Sequence, residues 1–429
     1  MTAPFLKNAN KKTKRTVAKQ KKMCYDKSIK PMKGDFIMKK LALFLLTCLL
    51  LPLGLLSCND DPPAPTPVDP ESLSIAGEDI SKFKIVYAPA YSEEFLYEFE
   101  EFLGDEYEHN LITAEEVQDL ISSTFGVSLS IVADTAPETE YEILIGATNR
   151  TESASFTAEK DNEYGVRVVG KKLIVKGGSD GACYHAVSAI QKELAATTVA
   201  NVAWTEGFAI TGEAKMKRIA CVGDSLTEGS IGGHVTPELA YPAALGRLLW
   251  YDYNVYNYGL GGTTMIGSSA NPYMSSKQYA DCIGSGMTYD VILVMLGTND
   301  SKVIGETWTD AANTEFMTAS MTLFTSLKEK SPNAKFAFMN CPLKFTTAGY
   351  GNAYMLPVQK EAATRLVAAG IDVTHYDMRA YTTAVLTSDN FRDGLHPDYA
   401  GYAKIAEGTE ALVAHLLYGD ENEYIIPLN

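Results

Sequence analysis

Short apolar runs alternate with longer amphipathic stretches through the second half of the chain. Strands are predicted at residues 218–222, 254–258, 291–296, 335–340 and 372–377, and helices at 241–250, 311–330 and 356–369. Strands that alternate with helices form a parallel sheet covered on both faces. The pattern therefore predicts an α/β domain over residues 214–419, with a C-terminal tail at 420–429.

The preceding region, residues 74–213, has a different pattern that predicts a smaller α/β domain. Strands are expected at 83–87, 127–133 and 141–145, with a hairpin over 165–176. Thr113 to Glu116 fit a capping box that would open a helix ending at Phe125. The Gly-rich turn at 177–181 opens a second helix, and a turn of this kind can hold a phosphate. Because no Lys-Ser/Thr ending follows, a plain strand-to-helix connection is favoured.

The N-terminal segment is unlike the rest of the chain in charge. Residues 1–57 hold 13 of the 37 Lys and Arg residues but 2 of the 53 acidic ones, which leaves a net charge of −27 for the remainder. Two lysines, Lys39 and Lys40, precede an uncharged apolar run at 41–56, which is short for a membrane span. This arrangement predicts a secretory signal.

The end of that run, Leu55 to Cys58, resembles a bacterial lipobox. The resemblance implies cleavage before Cys58 and lipidation of its thiol; an ordinary signal peptide with an incidental cysteine is the alternative. The acidic, proline-rich stretch at 58–73 predicts an extended tether. It resembles the surface-export signal of Bacteroidetes lipoproteins, which implies a cell-envelope lipoprotein of the outer membrane. Attachment facing the periplasm remains open.

Composition excludes several classes of partner. Such an acidic mature chain would be repelled by phosphate backbones and anionic lipids, so we expect no nucleic-acid partner and membrane contact only through the lipid anchor. Beyond Cys58, four cysteines lack any C-x-x-C spacing: Cys183, Cys221, Cys282 and Cys341. They predict buried thiols, with a single disulfide left open. No metal or cofactor is implied.

Polar residues follow the predicted strands at the edge where parallel sheets bind ligands. Four segments stand out: Gly223-Asp224-Ser225-Leu226, the stretch 257–262, Gly297-Thr298-Asn299-Asp300, and Asp393-Gly394-Leu395-His396. Each alone is as consistent with a turn or a helix cap. The glycine cluster at 259–262 does not complete a dinucleotide-binding motif, since position 264 is Thr. A Ser hydroxyl needs a base nearby, and imidazole titrates near neutral pH.

Together, the four segments resemble the signature blocks of the SGNH hydrolases, also called the GDSL esterase/lipase superfamily. The resemblance covers about residues 217–416 and implies a flavodoxin-like parallel sheet with helices on both faces. It implies Ser225 as nucleophile, His396 as base and Asp393 as the residue that orients it. It also implies an oxyanion hole made of the Ser225 N–H, the Gly259 N–H and the Asn299 amide. Asp224 is expected to be a structural hydrogen-bonding residue.

Residues 82–197 resemble the small α/β domain that precedes the catalytic barrel in several glycoside hydrolases. With the hydrolase motifs, this favours a serine esterase that removes short acyl groups, chiefly acetyl, from carbohydrates. A lysophospholipase or thioesterase with the same residues is the alternative, and a non-catalytic glycan-binding lipoprotein is a third. Other histidines are expected to be structural, although His234 follows the nucleophile. Tyr258, Tyr273 and Trp308 are candidates either to stack on a sugar or to pack.

Overall fold

The computed structural model describes residues 66–103, 107–304, 308–342 and 352–428. The predicted signal, the lipidation site at Cys58 and the first half of the tether lie outside these ranges. Residues 65–429 form one compact unit that contains two six-stranded sheets. No helix in the described ranges has the length and apolarity to cross a bilayer.

The first sheet lies in the N-terminal region and is mixed. The strands of this region are β1 Ser72–Ile75, β2 Glu78–Asp79, β3 Lys84–Tyr87, β4 Ile131–Ala133, β5 Glu142–Ile145, β6 Glu163–Val169, β7 Lys172–Gly177, β8 Asn201–Trp204 and β9 Ala209–Glu213. The six-stranded order is β4-β3-β5-β7-β6-β9, in which β6 runs antiparallel to both neighbours. Strand β1 pairs with β2 and β8 in a small separate sheet. The predicted hairpin is therefore confirmed as β6 and β7.

The helices of this region are α1 Glu93–Leu103, α2 His109–Phe125 and α3 Asp180–Ala195. The capping box predicted at Thr113 is wrong, because α2 begins one turn earlier. The buried Thr113 hydroxyl instead donates to the His109 carbonyl inside the helix. The Gly-rich turn connects β7 to α3, and the Ser179 side chain caps the helix by accepting from the Ala182 N–H. This geometry agrees with the strand-to-helix interpretation.

The second sheet is the flavodoxin-like sheet that the sequence predicts. Its strands are β10 Lys217–Gly223, β13 Tyr253–Gly259, β14 Val291–Met295, β15 Lys335–Met339, β16 Val373–Tyr376 and β17 Ile425–Ile426; β11 Ser230–Ile231 and β12 His234–Val235 form a separate ribbon. The order β13-β10-β14-β15-β16 is parallel throughout, and β17 adds an antiparallel edge. The predicted tail at 420–429 thus supplies an edge strand.

Helices cover both faces of this sheet. They are α4 Ser225–Glu228, α5 Tyr241–Leu249, α6 Lys277–Gly284, α7 Thr298–Ile304, α8 Asp310–Lys330, α9 Asn352–Ala368, α10 Met378–Val385 and α11 Tyr399–Tyr418. Alternate residues of β10 enter opposite cores: Val222 packs with α8 and α9, and Cys221 packs with α5 and α11. Burial on both faces explains why these strands are continuous apolar runs.

A polar contact joins the two sheets. Asp161, in the turn before β6, accepts hydrogen bonds from Arg218 Nε (2.8 Å) and Asn254 Nδ2 (3.0 Å), and from the Tyr256 hydroxyl. The three donors lie on β10 and β13. Burial alone would raise the Asp161 pKa, but the hydrogen bonds from Arg218 and Tyr256 lower it below its ordinary value. The carboxylate therefore stays ionised and ties the first region to the second sheet.

Candidate active site

The nucleophile candidate lies where β10 turns into α4. A side chain at Gly223 would collide with the Thr227 hydroxyl and would come within 2.8 Å of the Met295 carbonyl, so only glycine fits this close turn. Asp224 then caps α4, and its Oδ1 accepts from the Leu226 N–H at 3.0 Å. Ser225 becomes the first residue of α4 and is 8% exposed. Its backbone N–H therefore has no intrahelical partner.

The structure brings Ser225, His396 and Asp393 together in one hydrogen-bonded chain. His396 Nε2 lies 2.8 Å from Ser225 Oγ, across 171 positions of sequence. On the other side of the ring, His396 Nδ1 lies 2.7 Å from Asp393 Oδ2. Both ring nitrogens are thus engaged, in the arrangement by which an imidazole accepts a proton from a hydroxyl while a carboxylate fixes its tautomer.

Asp393 is held by its own turn. Its Oδ1 accepts from the backbone N–H groups of Leu395 (2.9 Å) and His396 (2.7 Å), while Oδ2 faces the imidazole. Burial alone would raise the Asp393 pKa, yet these hydrogen bonds lower it below its ordinary value. The carboxylate therefore remains ionised beside His396 near neutral pH.

Asn299 lies in the first turn of α7, directly after β14. Its Nδ2 donates to the Thr263 carbonyl at 2.9 Å and lies 3.5 Å from Asp224 Oδ2. An amide nitrogen carries two N–H groups, and only the first of these contacts is short. Asn299 therefore retains donor capacity at the sheet edge that also carries Ser225.

Gly259 does not occupy the position expected for an oxyanion donor. It is the last residue of β13, and its N–H already donates to Asn257 Oδ1 at 2.9 Å. A side chain there would meet the backbone of Thr227 and Glu228, so Gly259 packs against the end of α4. The prediction for Gly259 is therefore corrected: its amide is committed to Asn257 of the same strand.

The same loop contains a backbone amide that is free for this role. No described residue accepts a hydrogen bond from the Gly262 N–H. The Gly261 carbonyl accepts from Asn271 Nδ2 at 3.4 Å. Because N–H and C=O point in opposite directions across a trans peptide, the Gly262 N–H points away from Asn271. Gly262 has φ +76°, a left-handed conformation that glycine adopts without strain. The sequence signal was the run of glycines, which did not reveal which amide was unpaired.

Two buried acids underlie the site. Asp224 is fully buried, which raises its pKa to about 7, and the nearby charge of Asp300 acts in the same direction. Asp300 is also fully buried, which raises its pKa to about 6, although its carboxylate accepts from the N–H groups of Met265 and Ile266 at 2.9 Å each. Sequence reasoning did not single out Asp300; its position directly after Asn299 was the available signal.

The aromatic candidates are packing residues. Tyr273 is 1% exposed and donates to the Tyr258 carbonyl at 2.7 Å. The Tyr258 and Tyr289 hydroxyls share a hydrogen bond of 2.5 Å. Trp308 packs against the core that contains Phe316. None of the three is placed as an open stacking platform.

The remaining histidines and the cysteines differ in solvent exposure and in their hydrogen bonds. His234 is exposed on β12. His375 is fully buried in β16, with neither ring nitrogen hydrogen-bonded to a described residue. The four described cysteines are buried, and no disulfide joins any two of them: Cys183, Cys221, Cys282 and Cys341. No group of three or more His, Cys, Asp or Glu side chains suited to a metal ion occurs in the described ranges.

One sizeable cavity lies apart from this site. It has a volume of about 560 Å³ and lies between the Gly-rich turn before α3 and the helix α5, with His109 and Trp250 in its wall. Ser225 and His396 do not line it. The cavity therefore is not the place where the hydrogen-bonded chain acts.

The fold and this chain of side chains define the second region as a domain of the SGNH type. Residues 221–404 match the model of the GDSL-like Lipase/Acylhydrolase family. The C-terminal part of the chain is therefore a GDSL-like lipase/acylhydrolase domain. The resemblance of residues 82–197 to glycoside hydrolase accessory domains stays a prediction.

Several characterised proteins resemble parts of the chain. An acetylxylan esterase from Xylanibacter ruminicola is 38% identical over 85 residues, which is 20% of this chain and 17% of that protein. The chain thus spans about a sixth of the length of that relative. A solved carbohydrate acetylesterase family member from Sinorhizobium meliloti is 21% identical and aligns over 47% of this chain and 99% of its own, with a TM-score of 0.37. A family two carbohydrate esterase from Clostridium thermocellum, solved with cellohexaose, is 19% identical over 48% of this chain and 67% of its own, with a TM-score of 0.36.

Proposed function

We propose that this chain is a serine esterase that removes acetyl and other short acyl groups from carbohydrates. The observation that carries the proposal is the continuous hydrogen-bonded chain from Asp393 through His396 to Ser225. The similarity to an acetylxylan esterase from Xylanibacter ruminicola supports a carbohydrate substrate. The resemblance of residues 82–197 to the small domain that precedes the catalytic barrel in glycoside hydrolases is consistent with it.

The proposed reaction begins with attack of Ser225 Oγ on the ester carbonyl, while His396 Nε2 takes the hydroxyl proton. The imidazolium is stabilised by Asp393, whose carboxylate stays ionised. Collapse of the tetrahedral intermediate breaks the bond to the sugar oxygen, and His396 gives its proton to that leaving group. Water, deprotonated by His396, then attacks the acyl-enzyme and releases acetate and free Ser225.

An oxyanion forms during both acylation and deacylation, and it requires hydrogen-bond donors that are already in position. We assign this role to the Ser225 N–H, the Gly262 N–H and the Asn299 amide. Support comes from the free N–H of Gly262 and from the proximity of Gly261 to Ser225, since a methyl group on Gly261 would lie 3.7 Å from Ser225 Cβ. The loss of one such donor typically lowers the rate ~10²–10³-fold.

A short acyl group is favoured by the wall beside the nucleophile. The large apolar residues of the segment after Gly262 point into the core: Met265, Ile266 and Tyr273 are each 3% exposed or less. The residues that remain outside in this segment are small or polar, such as Ser268 and Asn271. The segment therefore offers little apolar surface to a long acyl chain, which argues against a lipid substrate.

The test measures acetate release from a panel of acetylated polysaccharides, with the Ser225→Ala protein as control. We expect release by the wild-type protein only, and faster turnover of 4-nitrophenyl acetate than of the octanoate ester. Acetate release by Ser225→Ala would refute the mechanism. Preference for the octanoate would favour the lysophospholipase or thioesterase alternative, and glycan binding without hydrolysis would favour the non-catalytic one.

We also propose that the protein is an outer-membrane lipoprotein anchored through Cys58. The proposal rests on the Leu55 to Cys58 sequence and the acidic, proline-rich stretch after it. Wild-type protein should partition into detergent with an acylated N-terminal peptide, whereas Cys58→Ser should be released without acyl groups. Protease digestion of intact cells distinguishes an outward-facing from a periplasm-facing domain. An unmodified Cys58 peptide from membranes would contradict the proposal.

A further inference from the structure

We propose that Glu228 is a positioning residue that holds the oxyanion loop, residues 260–264, against the nucleophile. The inference rests on the proposed function and adds to it a residue outside the four signature segments. Glu228 is the last residue of α4, the same short helix that begins with Ser225. It therefore connects the loop directly to the element that carries the nucleophile.

The Glu228 carboxylate makes specific contacts with the loop. Its Oε2 accepts from the Gly261 N–H at 2.9 Å and from the Ser230 hydroxyl at 3.3 Å. A methyl group on Gly261 would lie 2.7 Å from this Oε2 and 3.7 Å from Ser225 Cβ. Gly261 is thus wedged between the carboxylate and the nucleophile.

The loop is held at both sides of Gly262. Before it, the Gly261 N–H bonds to Glu228; after it, the Thr263 carbonyl accepts from Asn299. The Gly262 N–H, which we assign to the oxyanion hole, therefore lies between two anchored residues. Gly262 itself is a glycine with freedom to rotate, so its direction depends on these neighbours.

Other roles for Glu228 fit the geometry less well. Both nitrogens of His396 are already engaged by Ser225 and Asp393, so the proton relay has no place for a further carboxylate. A negative charge near a developing oxyanion is electrostatically unfavourable. The benefit of Glu228 must then come from its hydrogen bond to the Gly261 N–H.

The experiment compares Glu228→Ala with Glu228→Gln, whose side-chain carbonyl still accepts from the Gly261 N–H. Glu238→Ala is the matched control, because Glu238 is an exposed glutamate a few residues further along the chain. Kinetics are measured with 4-nitrophenyl acetate, and folding is checked by thermal unfolding. We expect Glu228→Ala to lower kcat ~10–100-fold with little change in KM, since small misplacement of a catalytic group costs up to ~10²-fold.

Glu228→Gln should recover most of the lost kcat, and Glu238→Ala should match the wild-type protein. An unchanged kcat in Glu228→Ala would overturn the inference. Equal losses in Glu228→Ala and Glu228→Gln would also overturn it, because the charge rather than the hydrogen bond would then matter. A purely structural role would lower the unfolding temperature without the selective loss of kcat. If Ser225→Ala kept activity, the proposed function itself would fail, which is a separate result.

Discussion

Replacement of Asp224 by Asn gives a quantitative test of the buried charge beneath the nucleophile. Asp224 is fully buried and accepts one backbone hydrogen bond, from Leu226 at 3.0 Å. Burial and the nearby Asp300 raise its pKa to about 7. Asn has the same shape and can still accept from Leu226, so the change removes the ionisation and keeps the cap.

The sign of the effect follows from the direction of the pKa change. The folded protein holds the Asp224 proton up to about pH 7, whereas the unfolded chain releases it near 3.8. The stabilising contribution is therefore complete below 3.8 and is lost as the pH rises through 7. At about 1.4 kcal/mol for each pH unit, the full difference is roughly 4 kcal/mol. Roughly 2–3 kcal/mol of this stabilisation is lost between pH 5 and pH 8.

The assay is urea unfolding at pH 5 and pH 8 of the wild-type protein, Asp224→Asn and the exposed control Asp389→Asn. Between pH 5 and pH 8, the free energy of unfolding should fall by roughly 2–3 kcal/mol more in the wild-type protein than in Asp224→Asn. Asp389→Asn should follow the wild-type protein. Parallel behaviour of Asp224→Asn and wild type would show that Asp224 titrates at an ordinary pKa and would refute the reasoning.

Three further changes test other parts of the molecule. His375→Leu should stabilise the protein by about 1–3 kcal/mol, because it removes two buried nitrogens that form no hydrogen bond with a described residue. Burial lowers the His375 pKa to about 4, so the gain should grow as the pH falls below 6.5; equal gains by urea unfolding at pH 7.5 and pH 5 would contradict this. Asp393→Asn should lower kcat on 4-nitrophenyl acetate ~10³–10⁴-fold with unchanged folding, since the Asn oxygen would stay with the backbone N–H groups of Leu395 and His396 and its NH2 would face His396 Nδ1, which favours the wrong tautomer; a loss below tenfold would argue against its orienting role. Asp161→Asn should cost about 2–4 kcal/mol of unfolding free energy, because Arg218 loses its partner in a partly buried site, and unchanged stability would show that the contact is dispensable.

The second sheet was predictable because its central strands, β10, β14 and β15, are largely buried. β10, β13, β14, β15 and β16 each begin and end within one or two residues of the predicted bounds. β17 is two residues long and pairs only at an edge, so its local sequence carries no periodic signal. The strands β1 and β8 stabilise each other across the first region, and only the tertiary pairing reveals them.

Local rules failed where a side chain had two possible partners. Thr113 to Glu116 satisfies the spacing of a capping box, yet the Thr113 hydroxyl finds the His109 carbonyl in a helix that has already begun. Gly259 fits the family pattern, yet its N–H is taken by Asn257 in the same strand. Which of two possible partners a group bonds to depends on their three-dimensional positions, and residue order alone does not reveal these. The segments with Ser225, Asn299 and His396 were identified because their order along the chain is itself informative.

The acids around residues 260–264, the proposed oxyanion loop, explain how a segment rich in glycine would present a fixed donor. Glu228 follows β10 and anchors Gly261, and Asp300 follows β14 and anchors the N–H groups of Met265 and Ile266. Asn299, next to Asp300, anchors Thr263 between them. Each anchor comes from the carboxyl end of a parallel strand, so the sheet itself sets the distance between nucleophile and donors. A loop fixed in this way before substrate binds needs no reorganisation when the oxyanion forms, which is the condition under which such donors contribute most to catalysis.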